Sequence, residues 1–202
     1  MGKINEFSNF ILEFDIICLQ ETWLRSKDIT EFGGYEIIRF GRQDNVGGGT
    51  AILCRSSLDP FSIDLPFIDR DLFEFSTCVI KGVRIYNKPV LIISIYKSPS
   101  IRVGFKRWYN LIRSLENLAM DYVVVLCGDL NGQHYAWGSS RPNLIGNCLD
   151  DSLTKSSLVY LNDGSATRIS ANINHVSVPN LTIVSSKVAE ICKLGGIRRC
   201  NG

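Results

Sequence analysis

Ile4, Phe7, Phe10, Ile11 and Phe14 recur at spacings of three and four, which predicts a helix lying with one face on a core. From Asp15 to Gln20 the chain is short, apolar and rich in Ile and Leu, so it predicts a buried strand. That strand ends abruptly in the polar triplet Gln20, Glu21, Thr22. Tyr35 to Phe40 alternates, Gly47-Gly48-Gly49 breaks the chain and Thr50 to Cys54 resumes, together predicting a hairpin with a glycine-rich connection. Phe73 to Ile80 and Val90 to Tyr96 are the next strands, with a turn around Asn87 and Pro89. Trp108, Leu111, Ile112, Leu115 and Leu118 follow the helical period. The run Val123 to Cys127 predicts a second buried strand, and it too ends in polar groups, Gly128-Asp129-Leu130-Asn131.

Beyond it, Asn147 to Leu158 predicts a helix, Val159 to Asn162 a short strand, and Leu181 to Ser185 a last strand. Periodicity fades after Ser186, so residues 190–202 read as an irregular tail to a domain spanning 1–189. No internal repeat or linker divides the chain. Some strands are joined by tight turns and others through helices, which predicts an α/β fold built on a mixed sheet or a pair of sheets.

With 45% apolar and 21% charged residues over 202 positions, the chain can bury a core without disulfides or a structural metal. The formal charge of +2 lacks the basic excess of a nucleic-acid coat protein, so any contact with a polyanion is local. No apolar run approaches the roughly 18 residues of a membrane span. Glu6 and Glu13 make Met1 to Phe14 a poor signal peptide. Seven cysteines sit without close zinc-type spacing and largely within strand patterns, which reads as reduced thiols packed in the core of an intracellular protein.

The strand ends therefore carry the candidate chemistry: Glu21, Tyr96, Asp129 and Asn131. Carboxylate and amide oxygens suit a hard divalent cation such as Mg²⁺, which takes one or two carboxylates and keeps waters for a phosphate to displace. Such a centre serves phosphodiester hydrolysis. A carboxylate and an amide two residues apart could orient water and donate to a phosphoryl oxygen. The triple glycine lacks the Lys-Ser/Thr ending of a P-loop, so a turn accounts for it better than a phosphate cradle.

The stretch from Phe14 through Gln20-Glu21-Thr22-Trp23, the triple glycine, Tyr96-Lys97-Ser98-Pro99, Gly128-Asp129-Leu130-Asn131 with His134, Trp137 and Gly138, and Leu161-Asn162-Asp163-Gly164 occur in that order. This set resembles the endonuclease domain of jockey-like non-LTR retrotransposons, within the endonuclease/exonuclease/phosphatase superfamily. The resemblance implies a two-sheet sandwich flanked by helices. It implies that Glu21 binds the metal, Tyr96 contacts phosphate, and Asp129 and Asn131 align water and phosphate. It further implies DNA as partner, Mg²⁺ as cofactor, a reverse transcriptase domain in the parent element, and a nuclear place of work. Arg42 and Lys97 fall where phosphates would pass, and His134, packed under its loop, joins that nucleic-acid-facing group.

Departures accompany the likeness. The family opens with an Asn-bearing strand ahead of the first helix and closes on a Ser-Asp-His strand, and neither pattern is found here. Asn5 and Asn9 lie inside the helical stripe. Asn180 stands where the family has an Asp behind its histidine, and an amide cannot stabilise an imidazolium by charge. The expectation is a sandwich missing its first and last strands and an impaired nuclease. The competing reading is a non-catalytic remnant that at most binds DNA.

Overall fold

A computed structural model describes residues 11–24, 31–41, 47–165, 168–169, 176–178 and 180–192. The predicted first helix lies mostly outside the described residues; Ile11, at its far end, is buried. Three strands form a small sheet: β1 (Ile16–Gln20), β2 (Tyr35–Phe40) and β3 (Thr50–Arg55), in the order β1-β3-β2 and antiparallel throughout. The predicted hairpin is thus β2–β3. The second sheet takes β4 (Pro60–Phe61), β5 (Glu74–Ile85), β6 (Lys88–Tyr96) and β7 (Val123–Asp129). Later come β8 (Leu158–Tyr160), β9 (Arg168–Ile169), β10 (Val176–Ser177) and β11 (Asn180–Ser185). Its order is β4-β5-β6-β7-β11-β8, while β9 and β10 pair with each other.

Only β6 and β7 run parallel among the described pairs, because α1 (Phe105–Leu118) carries the chain back between them. Trp108, Leu111, Ile112 and Leu115, at i, i+3, i+4 and i+7, are the buried stripe of α1. They pack with Leu91, Ile93, Ile95, Val124 and Leu126 on one face of the six-stranded sheet, together with Leu149 of α2 (Leu144–Leu153). The other face meets the small sheet through Ile52, Cys54, Cys78, Ile80, Ile92 and Val184. Ile11, Tyr35 and Leu53 cover the small sheet's outer face. The layers are those of an α/β sandwich. Both faces of β6 are buried, which explains why its sequence is a continuous apolar run.

Two expectations need correction. The helix expected over Asn147 to Leu158 instead starts at Leu144 and ends at Leu153. Asn143 caps it, its Oδ1 accepting the Gly146 N–H at 2.7 Å, and Leu158 belongs to β8. The turn before β6 is Tyr86-Asn87, with φ of 50° and 62°, and Pro89 lies inside the strand. Directly after β11, where the sequence periodicity fades, the chain forms a short helix, α3 (Ser186–Ala189), ahead of residues 190–202. No described helix is long and apolar enough to cross a membrane.

Between the sheets, composition changes along the strands. Cys54 and Cys78 neighbour each other in this layer, as do Cys18 and Cys127. Burial pushes the Cys78 thiol up to about 12, so it packs as a neutral small hydrophobe. Nearer the carboxyl ends of β6 and β7 the layer turns polar. Gln20 Nε2 donates to Ser94 Oγ at 2.9 Å, Ser94 Oγ donates to the Leu19 carbonyl at 3.0 Å, and Thr50 and Ser76 hydroxyls lie 2.9 Å apart. This satisfied ladder tacks the sheets together next to the strand ends where the polar residues gather.

Candidate active site

Strand register builds one side of the site. Glu74 pairs with Tyr96, Tyr96 with Asp129, and Asp129 with Asn180, so four polar residues stand in one row across β5, β6, β7 and β11. The parallel pairing of β6 and β7 is what brings Tyr96 and Asp129 to the same sheet edge. Close approach of the backbones there requires glycine at 128, because a Cβ would run into the Ile95 carbonyl oxygen.

Past β7 the chain curls. Leu130 is buried in the core, while Asp129 and Asn131 on either side are half-buried. Asp129 Oδ1 accepts the Asn131 N–H at 2.9 Å, an Asx turn that accommodates the φ of 52° at Asn131. Asn131 Nδ2 donates to the Lys97 carbonyl at 2.9 Å, and its own carbonyl accepts from Asn143 Nδ2 at 2.9 Å. The Asn131 side chain is thereby fixed beside the β6 end.

Glu21 arrives from the other sheet. It follows β1 with its side chain exposed, in a left-handed conformation (φ 52°) repeated at Trp23 (φ 55°). Each such residue costs of order 1 kcal/mol, and the direction of inference runs from observed strain to function. The bend is held by the triple glycine: Thr22 N–H donates to the Gly49 carbonyl at 3.3 Å and Trp23 N–H to the Gly48 carbonyl at 2.9 Å. Gly49, at φ 88°, has no room for a Cβ, which would meet Thr22 Oγ1 at 2.7 Å.

The two sheets meet at the Tyr96 hydroxyl, which lies close enough to the Glu21 carboxylate to feel it. Burial, the adjoining Glu21 carboxylate and the negative charge of Asp129 push the phenol up to about 12, against a small opposing effect of the Ser98 hydroxyl. Tyr96 is therefore a protonated donor at neutral pH. Glu21, Tyr96, Asp129 and Asn131, four sequence candidates, thus come together.

The other candidates fare differently. Lys97, expected to face phosphates, is 1% exposed: it lies inside the protein, where burial lowers its pKa and the Asp129 charge partly restores it. Its position directly after β6, a strand buried on both faces, is the reason. His134 caps a single 3-10 turn, its Nδ1 accepting the Ala136 N–H at 3.3 Å with Asp150 Oδ1 at 3.7 Å and the Trp137 ring against it. Trp137 is fully buried and donates to the Gly132 carbonyl at 3.1 Å, a packing anchor as the sequence suggests. Asn180 lies at the end of the polar row. Arg42 lies outside the described residues. Sequence reasoning missed Glu74, a carboxylate 7% exposed that accepts the Gly49 N–H at 2.5 Å. Its signal was a Glu flanked by Phe73 and Phe75 at the start of a strand whose first seven residues are all buried.

Among the described residues no three His, Cys, Asp or Glu side chains form an all-protein metal cage. The donor set does fit a cation that keeps most of its waters, with the exposed Glu21 carboxylate and Asp129 both acting on one hydroxyl.

The fold and the strand-end oxygens define a sandwich with a polar site across its sheet edges. The endonuclease/exonuclease/phosphatase family model matches residues 2–180, and the chain belongs to that family. It is similar in structure to the endonuclease domain of TRAS1, a telomere-specific non-LTR retrotransposon, at 18% identity and a TM-score of 0.66, over 92% of this chain and 79% of that one. The catalytic domain of Xenopus laevis APE2 is also similar, at 14% identity and a TM-score of 0.66, over 94% and 79%. A third is AP endonuclease LMAP from Leishmania major, at 14% identity and a TM-score of 0.62, over 93% and 76%. No curated protein sequence matches the chain significantly.

Proposed function

We propose that the chain is a DNA-directed phosphodiesterase domain of the retroelement endonuclease type, with Glu21, Tyr96, Asp129 and Asn131 as its working residues and Mg²⁺ as its cofactor. The carrying observation is Tyr96, in register with Asp129 on the large sheet and with its hydroxyl beside the Glu21 carboxylate from the small one. The name of the TRAS1 domain supports the choice of nuclease class.

Glu21, with Asp129 nearby, would hold the cation. Bound there, Mg²⁺ would supply charge stabilisation of the phosphoryl and leaving oxygens. The protein's own contributions follow from geometry. Asp129, an acceptor fixed by its register, is suited to orient a water and draw its proton. Asn131 commits one amide N–H to the Lys97 carbonyl, and the second is suited to a phosphoryl oxygen. Tyr96 offers a proton that it does not lose at neutral pH. Turnover is slow in this reading, because Asn180 puts an amide at the row position beside Asp129. The same reading takes 1–189 as the nuclease domain, a reverse transcriptase domain as its partner in the parent element and the nucleus as its place of work.

Nicking of supercoiled plasmid with Mg²⁺, lost in Asp129→Ala, is the expected result. Equal nicking by wild type and variant overturns the assignment. Salt-sensitive DNA binding without any cleavage would favour the second reading, a non-catalytic remnant, to which Asn180 also points.

A further inference from the structure

Glu74 is the buried carboxylate that the chemistry above leaves unused. It opens β5, stands in register with Tyr96, and is 7% exposed. Burying a carboxylate is costly unless it is paired or hydrogen-bonded, so its contacts matter. Its Oε2 accepts the Gly49 N–H, a charge-assisted bond to backbone. Gly49 and Gly48 pass the constraint on through the carbonyls that hold the Thr22 and Trp23 amides. The bend so held contains two left-handed residues that bear side chains, Glu21 and Trp23, a conformation that persists only where surroundings impose it. A hydrogen-bonded path therefore runs from β5 of the large sheet, through the glycine connection, to the residue that the small sheet contributes to the site.

We infer that Glu74 is a positioning residue: by anchoring Gly49 it fixes the Glu21–Trp23 bend and so sets the Glu21 carboxylate against Tyr96. The inference rests on the reading of Glu21 as the cation-holding group, and its test separates the two. Gln at position 74 retains an oxygen acceptor for the Gly49 N–H, whereas Ala retains none, so Glu74→Gln and Glu74→Ala are compared in the full chain.

Amide hydrogen exchange at Thr22 and Trp23 reads the bend directly. Exchange at least tenfold faster in Glu74→Ala, substantially restored in Glu74→Gln, is expected, with exchange in β6 unchanged. Trp23 supplies a second readout. It is 61% exposed while Trp108 and Trp137 are fully buried, and the chain has three tryptophans, so iodide-quenchable emission reports Trp23. Its anisotropy should fall in the Ala variant. Mn²⁺ affinity, followed by electron paramagnetic resonance, should drop about tenfold in Glu74→Ala and recover in Glu74→Gln. Unchanged exchange and anisotropy at the bend in Glu74→Ala would overturn the inference. If that variant does not fold, exchange at Thr22 and Trp23 in Glu74→Gln indistinguishable from wild type together with Mn²⁺ affinity lowered tenfold would overturn it as well. Wild-type protein that fails to bind Mn²⁺ at all would refute the cation reading, and the exchange and anisotropy data would still decide the positioning claim.

Discussion

The two sheets supply the site by different means. The six-stranded sheet sets Tyr96 and Asp129 by strand register, so their spacing is fixed by ladder hydrogen bonds on both sides. The small sheet supplies Glu21 from beyond the end of β1, where a glycine connection holds two left-handed residues. Register is a property of whole strands and resists local change, whereas a bend held by a few backbone bonds does not. One half of the site is built like the core and the other half like a loop.

The largest effect expected is on chemistry: Asp129→Ala should lower plasmid nicking by roughly two to four orders of magnitude, the range for a positioned acid or base. A loss under tenfold would remove Asp129 from the working residues. Next comes the ladder itself. Gly128→Ala places a Cβ against the Ile95 carbonyl and should cost about 3 kcal/mol in urea unfolding, because β6 and β7 must separate. The seam between the sheets is tested by Ser94→Ala, which removes the partner of Gln20 Nε2 and the donor to the Leu19 carbonyl. About 2 kcal/mol should be lost in the same assay. In Gly49→Ala the cost in stability should be about 1 kcal/mol, yet Mn²⁺ affinity should fall further than in Ser94→Ala. The reverse order would show that Glu21 depends on the seam and not on the glycines.

One further effect appears only in alkaline solution. Folding raises the Tyr96 phenol from 10 to about 12, so the unfolded chain ionises first. The stability this gives is present below pH 10 and lost as pH rises toward 12. Tyr96→Phe should shallow that decline when unfolding is followed across the interval.

Much of this is legible in the amino-acid sequence. The buried strands that end in Glu21, Tyr96 and Asp129 were visible because an apolar run stopping at a polar group is a local pattern. Lys97 was misplaced because the sequence shows that β6 is buried but not how far the burial extends. Glu74 was invisible as a site residue since its meaning lies in a neighbour, Tyr96, that only sheet pairing supplies. The helix end near Leu153 has a local mark, since Thr154-Lys155-Ser156-Ser157 is wholly polar and Leu158, five residues past Leu153, falls outside the helical period and pairs toward β11 instead.

The parallel pairing of β6 and β7 has a further consequence. Its return segment, with α1, leaves from the Tyr96 end and re-enters at the far end of the ladder, so the connection spans the sandwich's outer wall while both oxygen-bearing termini stay at one rim. Residues 98–104 hang from that rim immediately after Tyr96, as do 130–143 after Asp129. A descendant chain can lengthen or rewrite the exposed part of the first segment, and with it whatever that segment grips, without disturbing the strands, whereas the second is held by Asn131 of the site and the buried Trp137 that it contains.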